Sequence, residues 1–111
     1  MNLIFGNVSG GTFDGDTMRL GDLGAPEGTI QLGFRAEDAS IVDTGGEIHA
    51  PVYTMELLGD ATMITVKVNG ELVSVKAAKD YRAQIGDMVR ISVPKEICHL
   101  FDAKTGARIG D

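Results

Sequence analysis

The chain has little of what most catalytic and nucleic-acid-binding domains need. It has one cysteine and no tryptophan among 111 residues. The lone Cys98 excludes an internal disulfide and suits a reducing compartment. No apolar run approaches the ~20 residues of a membrane-spanning helix. Lysine and arginine total 10 against 16 aspartates and glutamates. The resulting net charge of −6 disfavours binding to nucleic acids, because affinity for phosphate backbones comes largely from basic side chains.

Motifs for nucleotide chemistry and for nucleophilic catalysis are missing as well. The sequence contains neither Gly-Lys-Ser nor Gly-Lys-Thr, so it has no phosphate-binding loop of the Walker A type. It also lacks the Gly-x-Gly-x-x-Gly pattern of dinucleotide-binding folds and the Gly-x-Ser-x-Gly context of a nucleophilic serine. We therefore expect a chain that is not an enzyme by itself.

Two sets of side chains carry atoms that bind metals. They are Asp14, Asp16 and Asp22 in a glycine-rich segment, and His49, Cys98 and His99 elsewhere. The aspartates lack the closing bidentate glutamate of a calcium loop. Adjacent strand residues such as Cys98 and His99 point to opposite sides. We expect turn residues in the first set, a packed thiol beside a hydrogen-bonding or interface histidine in the second, and no metal.

Hydrophobic patterning predicts a mostly β structure. Fifteen glycines separate short apolar segments, as in a small barrel or sandwich. The clearest element is a hairpin around Asn69-Gly70, with strands at 62–68 and 71–76. Asn-Gly favours a type I′ turn because both central residues need positive φ. A two-residue loop sets Val66 opposite Val73, which gives the hairpin one apolar face.

The remaining strands are predicted with less regular patterns. They lie at 2–8, 17–20, 29–34, 40–43, 87–93 and 96–101, the last after one helical turn, and at 107–109 after a turn at 102–106. Residues 47–58 read as one long strand with an edge position or a bulge at Pro51, because proline has no N–H for the ladder. The turn Thr44-Gly45-Gly46 divides the chain into N-terminal strands at 1–43 and main barrel strands at 47–111.

Several short phrases occur in a fixed order along nearly the whole chain. They are Gly33-Phe34-Arg35-Ala36-Glu37, then Glu56-Leu57-Leu58-Gly59 with Thr62, then Gly86-Asp87, and finally His99-Leu100-Phe101-Asp102 with Thr105-Gly106. As a set they resemble the TOBE domain, a transport-associated OB-fold. This domain is the C-terminal regulatory part of the ATP-binding subunit in carbohydrate ABC importers of the maltose and glycerol-3-phosphate type. Ala36 stands where the family has proline, which affects only the local backbone path.

The resemblance implies an all-β, OB-fold-like barrel of the TOBE/MOP-like kind with an N-terminal strand extension. It also implies an ATPase domain upstream of Met1, so ATP and Mg²⁺ belong to the full-length protein. The implied function is regulation and dimerisation in a bacterial sugar transporter. The implied partners are a second copy, the ATPase domain, the permease subunits and a regulatory protein, with a cytoplasmic location peripheral to the inner membrane.

The candidate interface or regulatory residues come from the same phrases. They are Arg35, Glu37, Glu56, Gly59, Thr62, His99 and Phe101. Structural roles are the alternative: Gly33 and Gly59 allow close backbone approach or a bulge, Arg35 forms an ion pair with Glu37 or Glu56, and Phe101 belongs to the core. A second function also stays open, a module that binds a small ligand or an oxyanion through converging backbone amides and hydroxyl or lysine donors.

Overall fold

Residues 1–109 are described by a computed structural model, in which they form twelve strands and two short 3-10 turns. The strands are β1 (Asn2–Ser9), β2 (Thr12–Asp14), β3 (Arg19–Leu20), β4 (Gly28–Phe34), β5 (Ser40–Val42), β6 (Ile48–Pro51), β7 (Thr54–Leu58), β8 (Ala61–Val68), β9 (Glu71–Ala77), β10 (Met88–Ser92), β11 (His99–Asp102) and β12 (Arg108–Ile109). The 3-10 turns are Ala36–Asp38 and Lys95–Ile97. The all-β prediction is confirmed, as are the helical turn before β11 and the final short strand.

Three antiparallel sheets make up the described part of the chain. The largest has the strand order β12-β11-β4-β1-β2-β3, and the two smaller ones are β5-β10-β6 and β7-β8-β9. Strand β6 also contacts β8, and β9 contacts β5, so the two smaller sheets close around a shared interior. This closure confirms the OB-fold-like barrel. The six-stranded sheet carries the N-terminal strands, as the predicted extension requires, and also β11 and β12.

The hairpin around Asn69-Gly70 is confirmed in its register and its turn. Asn69 has φ 53° and Gly70 has φ 80°, as a type I′ turn requires. Val66 pairs with Val73, and both side chains are fully buried. Local turn chemistry and the buried valines therefore fix the same register.

The prediction of one long strand at 47–58 is wrong. Strand β6 ends at Pro51, and β7 begins at Thr54 in a different sheet. Between them, the Val52 N–H donates to the Asp87 carbonyl at 2.8 Å, and the Tyr53 N–H donates to the Thr65 carbonyl at 2.7 Å. Val52 therefore still pairs with the segment just before β10, and the change of partner to β8 begins at Tyr53.

The predicted division at Thr44-Gly45-Gly46 lies between β5 and β6. Strand β4 pairs with β11, and β5 pairs with β10, so segments on both sides of this turn contribute to two sheets. The division into N-terminal strands and main barrel strands stays a prediction.

Aliphatic and phenylalanine side chains fill the interior. The largest fully buried ones include Phe13, Phe34, Ile4, Leu32, Ile48, Ile64 and Ile91. Phe13 lies against Gly6, where an added Cβ would come within 2.3 Å of the ring. Within residues 1–109, no helix has the length and apolar character needed to cross a membrane.

Candidate functional site

The six-stranded sheet packs on the core with one face and turns the other to solvent. Along β1, Ile4 and Val8 are buried, whereas Leu3 and Phe5 keep 41% and 43% of their surface exposed. Successive residues of a strand point to opposite faces. We call the solvent-facing side of β1, β4, β11 and β12 the outer sheet face. It consists of Leu3, Phe5, Gln31, Gly33, His99, Phe101 and Arg108.

One cross-strand row of this face carries two aromatic rings. Phe5 pairs with Gln31, Gln31 with Phe101, and Phe101 with Arg108. The phenylalanines therefore lie two strand spacings apart, about 10 Å, with a neutral amide between them. Arg108 is exposed at the edge of the row. Phe101, a predicted interface residue, is half-buried on this face and does not belong to the closed core.

The neighbouring row depends on Gly33. Leu3 pairs with Gly33, which pairs with His99. A Cβ on Gly33 would lie 2.7 Å from Met1 Sδ and 3.0 Å from Leu3 Cδ2. The side chains of Met1 and Leu3 occupy the space above Gly33, whereas the nearest backbone atom, the Asn2 carbonyl oxygen, lies 3.4 Å from the added Cβ. The close backbone approach or bulge expected at Gly33 stays a prediction. The predicted site residue His99 is half-buried in this row.

Arg35 and Glu37 lie just beyond the end of β4. Both are exposed at a cleft of about 560 Å³, which Asn2 and Ser74 also line. The Asn2 side chain donates to the Ser74 carbonyl at 2.7 Å and accepts from the Ser74 N–H at 2.9 Å. The predicted ion pair is wrong: within residues 1–109, Arg35 forms none with Glu37 or Glu56.

Glu56, Gly59 and Thr62 belong to the β7–β8 hairpin, in a different sheet. Glu56 is exposed opposite Met63 on the outside of the barrel. Gly59 is exposed in the turn, and an added Cβ there would meet nothing within 4 Å. The close approach expected at Gly59 is therefore wrong. The structure separates these three residues from His99 and Phe101, so the seven predicted residues do not form one site.

Thr62 holds the loop at residues 78–87. It is fully buried, and its hydroxyl donates to the Lys79 carbonyl at 3.2 Å. Arg82 Nη1 donates to the carbonyls of Lys79 and Tyr81 at 2.8 Å each and to Thr62 Oγ1 at 3.4 Å. We call these contacts of Thr62 and Arg82 the loop clamp. Its arrangement indicates a structural role for Thr62.

The ionisable groups near β11 also have structural explanations. Burial raises the pKa of Cys98 to about 12, with a smaller contribution from the nearby Glu47 and Glu96 carboxylates, which favours the neutral thiol. Backbone N–H groups of Thr105 and Lys104 donate to the Asp102 carboxylate and lower its pKa. Within the described 109 residues, no three His, Cys, Asp or Glu side chains group as metal ligands.

Comparison with known proteins identifies the family. Residues 32–101 match the family described as TOBE domain. The chain belongs to the TOBE domain family. This TOBE domain is 35% identical over 112 residues to the sn-glycerol-3-phosphate import ATP-binding protein UgpC of Jannaschia sp. (strain CCS1), with 98% of the chain and 32% of that protein covered.

Two further relatives of this TOBE domain have similar names. UgpC of Ruegeria sp. (strain TM1040), also an sn-glycerol-3-phosphate import ATP-binding protein, is 30% identical over 95 residues, covering 84% of the chain and 27% of that protein. The xylose/arabinose import ATP-binding protein XacK of Haloferax volcanii is 29% identical over 120 residues, covering 96% of the chain and 31% of that protein. The chain thus spans about a third of the length of the curated relatives it matches.

Sequence patterns missed several residues that organise this TOBE domain. Leu3 and Phe5 were assigned to a strand but not to a site. Apolar residues that point to both sides of a strand indicate that both faces are covered, so this signal was present in the sequence. Arg82 gave no signal, because its partners are backbone carbonyls that only the folded loop brings together. Asp16 was expected to be a turn residue, and no sequence pattern indicated its two hydrogen bonds to Asn69.

Proposed function

We propose that this TOBE domain is a non-catalytic regulatory module of the ATP-binding subunit of a carbohydrate ABC importer. It pairs with a second copy through the outer sheet face. ATP and Mg²⁺ bind in the remainder of the longer parent protein, which also contacts the permease subunits at the cytoplasmic side of the inner membrane. The names of the import relatives and the coverage of about a third of their length support this proposal.

The observation that carries the proposal is the apolar character of the outer sheet face. Leu3 and Phe5 remain more than two-fifths exposed beside Phe101, on a sheet whose other side buries Ile4, Val8 and Leu32. Complete burial of such a side chain contributes about 2 kcal/mol, so covering the exposed part contributes about 1 kcal/mol. An apolar face on a rigid sheet is a surface for protein contact.

A second copy is the partner that the resemblance implies, and a two-fold axis parallel to the strands lets the outer sheet face pair with itself. Such an axis brings the Arg108 edge of one copy over the Asp14 edge of the other. Since Asp14 is already ion-paired with Arg19 at 3.4 Å, the contact depends on apolar burial and not on charge. In such an isologous contact each side chain is buried once in each copy. Every residue therefore contributes twice to the free energy of association, which favours pairing through a small apolar face.

The test is the oligomeric state of the parent ATP-binding subunit in sedimentation velocity over a range of concentrations. Phe5→Ser removes the exposed ring from both copies, and the expected loss of about 2 kcal/mol raises the dissociation constant about thirtyfold. Leu3→Ser has a matched control in Leu72→Ser, a leucine 55% exposed on β9. If Leu3→Ser and Leu72→Ser dimerise equally well, the outer sheet face is not the interface.

The alternative of a small-ligand or oxyanion module has less support. The cleft beside Arg35 also contains the Glu37 carboxylate, which repels an anion. The amide of Asn2 is already used by the Ser74 backbone, and the Ser74 hydroxyl shares a hydrogen bond with Thr65 at 3.0 Å. A large thermal shift with a sugar phosphate or an oxyanion that Arg35→Ala abolishes would favour this alternative instead.

A further inference from the structure

Hydrogen bonds fasten the tip of the β8–β9 hairpin to the N-terminal sheet. Asn69 Nδ2 donates to the Phe5 carbonyl at 2.9 Å, and Asn69 Oδ1 accepts from the Asp16 N–H at 2.8 Å. The Asn69 N–H in turn donates to Asp16 Oδ1 at 2.7 Å. We call these three hydrogen bonds the hairpin latch. It uses both atoms of the Asn69 amide and joins parts of the chain that are distant in sequence.

The same asparagine precedes glycine, the neighbour that least hinders attack on the side-chain amide because it has no Cβ. In deamidation, the Gly70 backbone nitrogen forms a bond to Asn69 Cγ, the Cγ–Nδ2 bond breaks, and ammonia leaves with a proton from the ring nitrogen. Water then opens the cyclic imide at either carbonyl and gives aspartate or isoaspartate. We propose that Asn69-Gly70 is a deamidation site which the hairpin latch protects and whose products hold the latch open.

Protection follows from the geometry of the amide. Asn69 Cγ must rotate towards the Gly70 nitrogen before attack, but Oδ1 and Nδ2 are bonded to Asp16 and Phe5. Attack therefore requires that both hydrogen bonds break, so the reaction proceeds from the locally opened state. Since deamidation is slow compared with the opening and closing of a hairpin tip, its rate reports the fraction of molecules in which the hairpin latch is open.

The products prevent closure for two physical reasons. A carboxylate at position 69 has no N–H to donate to the Phe5 carbonyl, and it lies beside the Asp16 carboxylate, which repels it. Isoaspartate also inserts an extra carbon into the backbone of a two-residue turn whose φ values, 53° and 80°, admit little change. Before deamidation, an open latch can close again. After deamidation, the product keeps the latch open.

The first test compares deamidation rates by peptide mapping during incubation at mildly alkaline pH. Asp16→Ala removes the acceptor of the Asn69 N–H, and the loss of this charge-assisted bond is expected to speed deamidation at Asn69 about tenfold. Asp14→Ala is the matched control, since Asp14 pairs with Arg19 and not with Asn69. Asn2 and Asn7, which precede Leu3 and Val8, serve as slow internal references. Equal rates at Asn69 in the two variants would overturn the proposed protection.

The second test asks what the product does to the hairpin latch and is independent of the proposed function. Asn69→Asp reproduces one product, and Asn7→Asp adds the same charge to β1 without touching the latch. Hydrogen exchange at the Asp16 and Asn69 amides is expected to accelerate about tenfold in Asn69→Asp and to stay unchanged in Asn7→Asp. Unchanged exchange in Asn69→Asp would show that the products leave the latch closed and would overturn the proposal.

Discussion

Replacing Thr62 by valine tests whether the loop clamp stabilises residues 78–87. Valine keeps the shape of a fully buried side chain but removes the hydroxyl that donates to the Lys79 carbonyl at 3.2 Å. That carbonyl keeps a donor, because Arg82 Nη1 lies 2.8 Å from it. The substitution therefore removes a hydrogen bond without leaving a buried carbonyl unpaired, and we expect the free energy of unfolding to fall by about 1 kcal/mol.

The decisive measurement is limited trypsin digestion, monitored at the bond after Arg82. Trypsin binds the arginine side chain, so cleavage requires that Arg82 leaves the loop clamp. Thr62→Val should speed this cleavage about fivefold, as expected for the loss of about 1 kcal/mol of local stability. Cleavage after Lys104, in a separate turn, should be unchanged.

Thr62→Ser is the matched control for this experiment. Serine keeps the hydroxyl and loses a buried methyl group, so it lowers global stability in urea denaturation by about 1 kcal/mol. It leaves the hydrogen bonds of Lys79 and Arg82 in place and should not speed cleavage after Arg82. Our reasoning is refuted if the bond after Arg82 in Thr62→Val is cut as slowly as in the unmodified protein.

Three further predictions concern the core and the last strands. Gly6→Ala places a methyl group 2.3 Å from the buried Phe13 ring, and urea denaturation should show a loss of about 2 kcal/mol. With its pKa raised from 9.0 to about 12, Cys98 should react with iodoacetamide about a thousandfold more slowly in the folded than in the unfolded protein near pH 8; equal rates would contradict its burial. The lowered pKa of Asp102 stabilises the fold above its ordinary value of 3.8, and this contribution disappears as the pH falls through the lower folded pKa. Asp102→Asn has no ionisable carboxyl at this position. Its free energy of unfolding, measured by urea denaturation, should therefore fall less than that of the unmodified protein on acidification below pH 3.8.

The sequence predicted the structure correctly where a short segment determines it by itself. Asn69-Gly70 specifies its turn through backbone conformation, and the flanking valines specify the same register through burial. Both signals lie within a few residues, so the hairpin was predicted correctly. The path after Pro51 was predicted wrongly, because the bonds of Val52 and Tyr53 go to residues that only the complete fold brings near.

The candidate site was only partly predictable for a similar reason. Phe101 and His99 were identified from a motif, and the structure places both on the outer sheet face. Leu3 and Phe5 belong to a strand with apolar residues on both sides, and alternation alone cannot distinguish the core side from a contact surface. Only the pairing of β1 with β4, which buries Ile4, turns Leu3 and Phe5 outward beside the motif residues.

Strand β1 is fixed by side-chain hydrogen bonds on both sides of its exposed apolar residues. Asn2 bonds the Ser74 backbone before Leu3, and Asn69 bonds the Phe5 carbonyl after it. These bonds supplement the ladder to β4, so β1 is held in place without a partner chain. In the proposed dimer, association would therefore order little additional backbone, and more of the apolar burial would stabilise the complex. Because β1 displays the proposed contact residues and also accepts the hairpin latch, a change at the hairpin tip reaches the interface through a single strand.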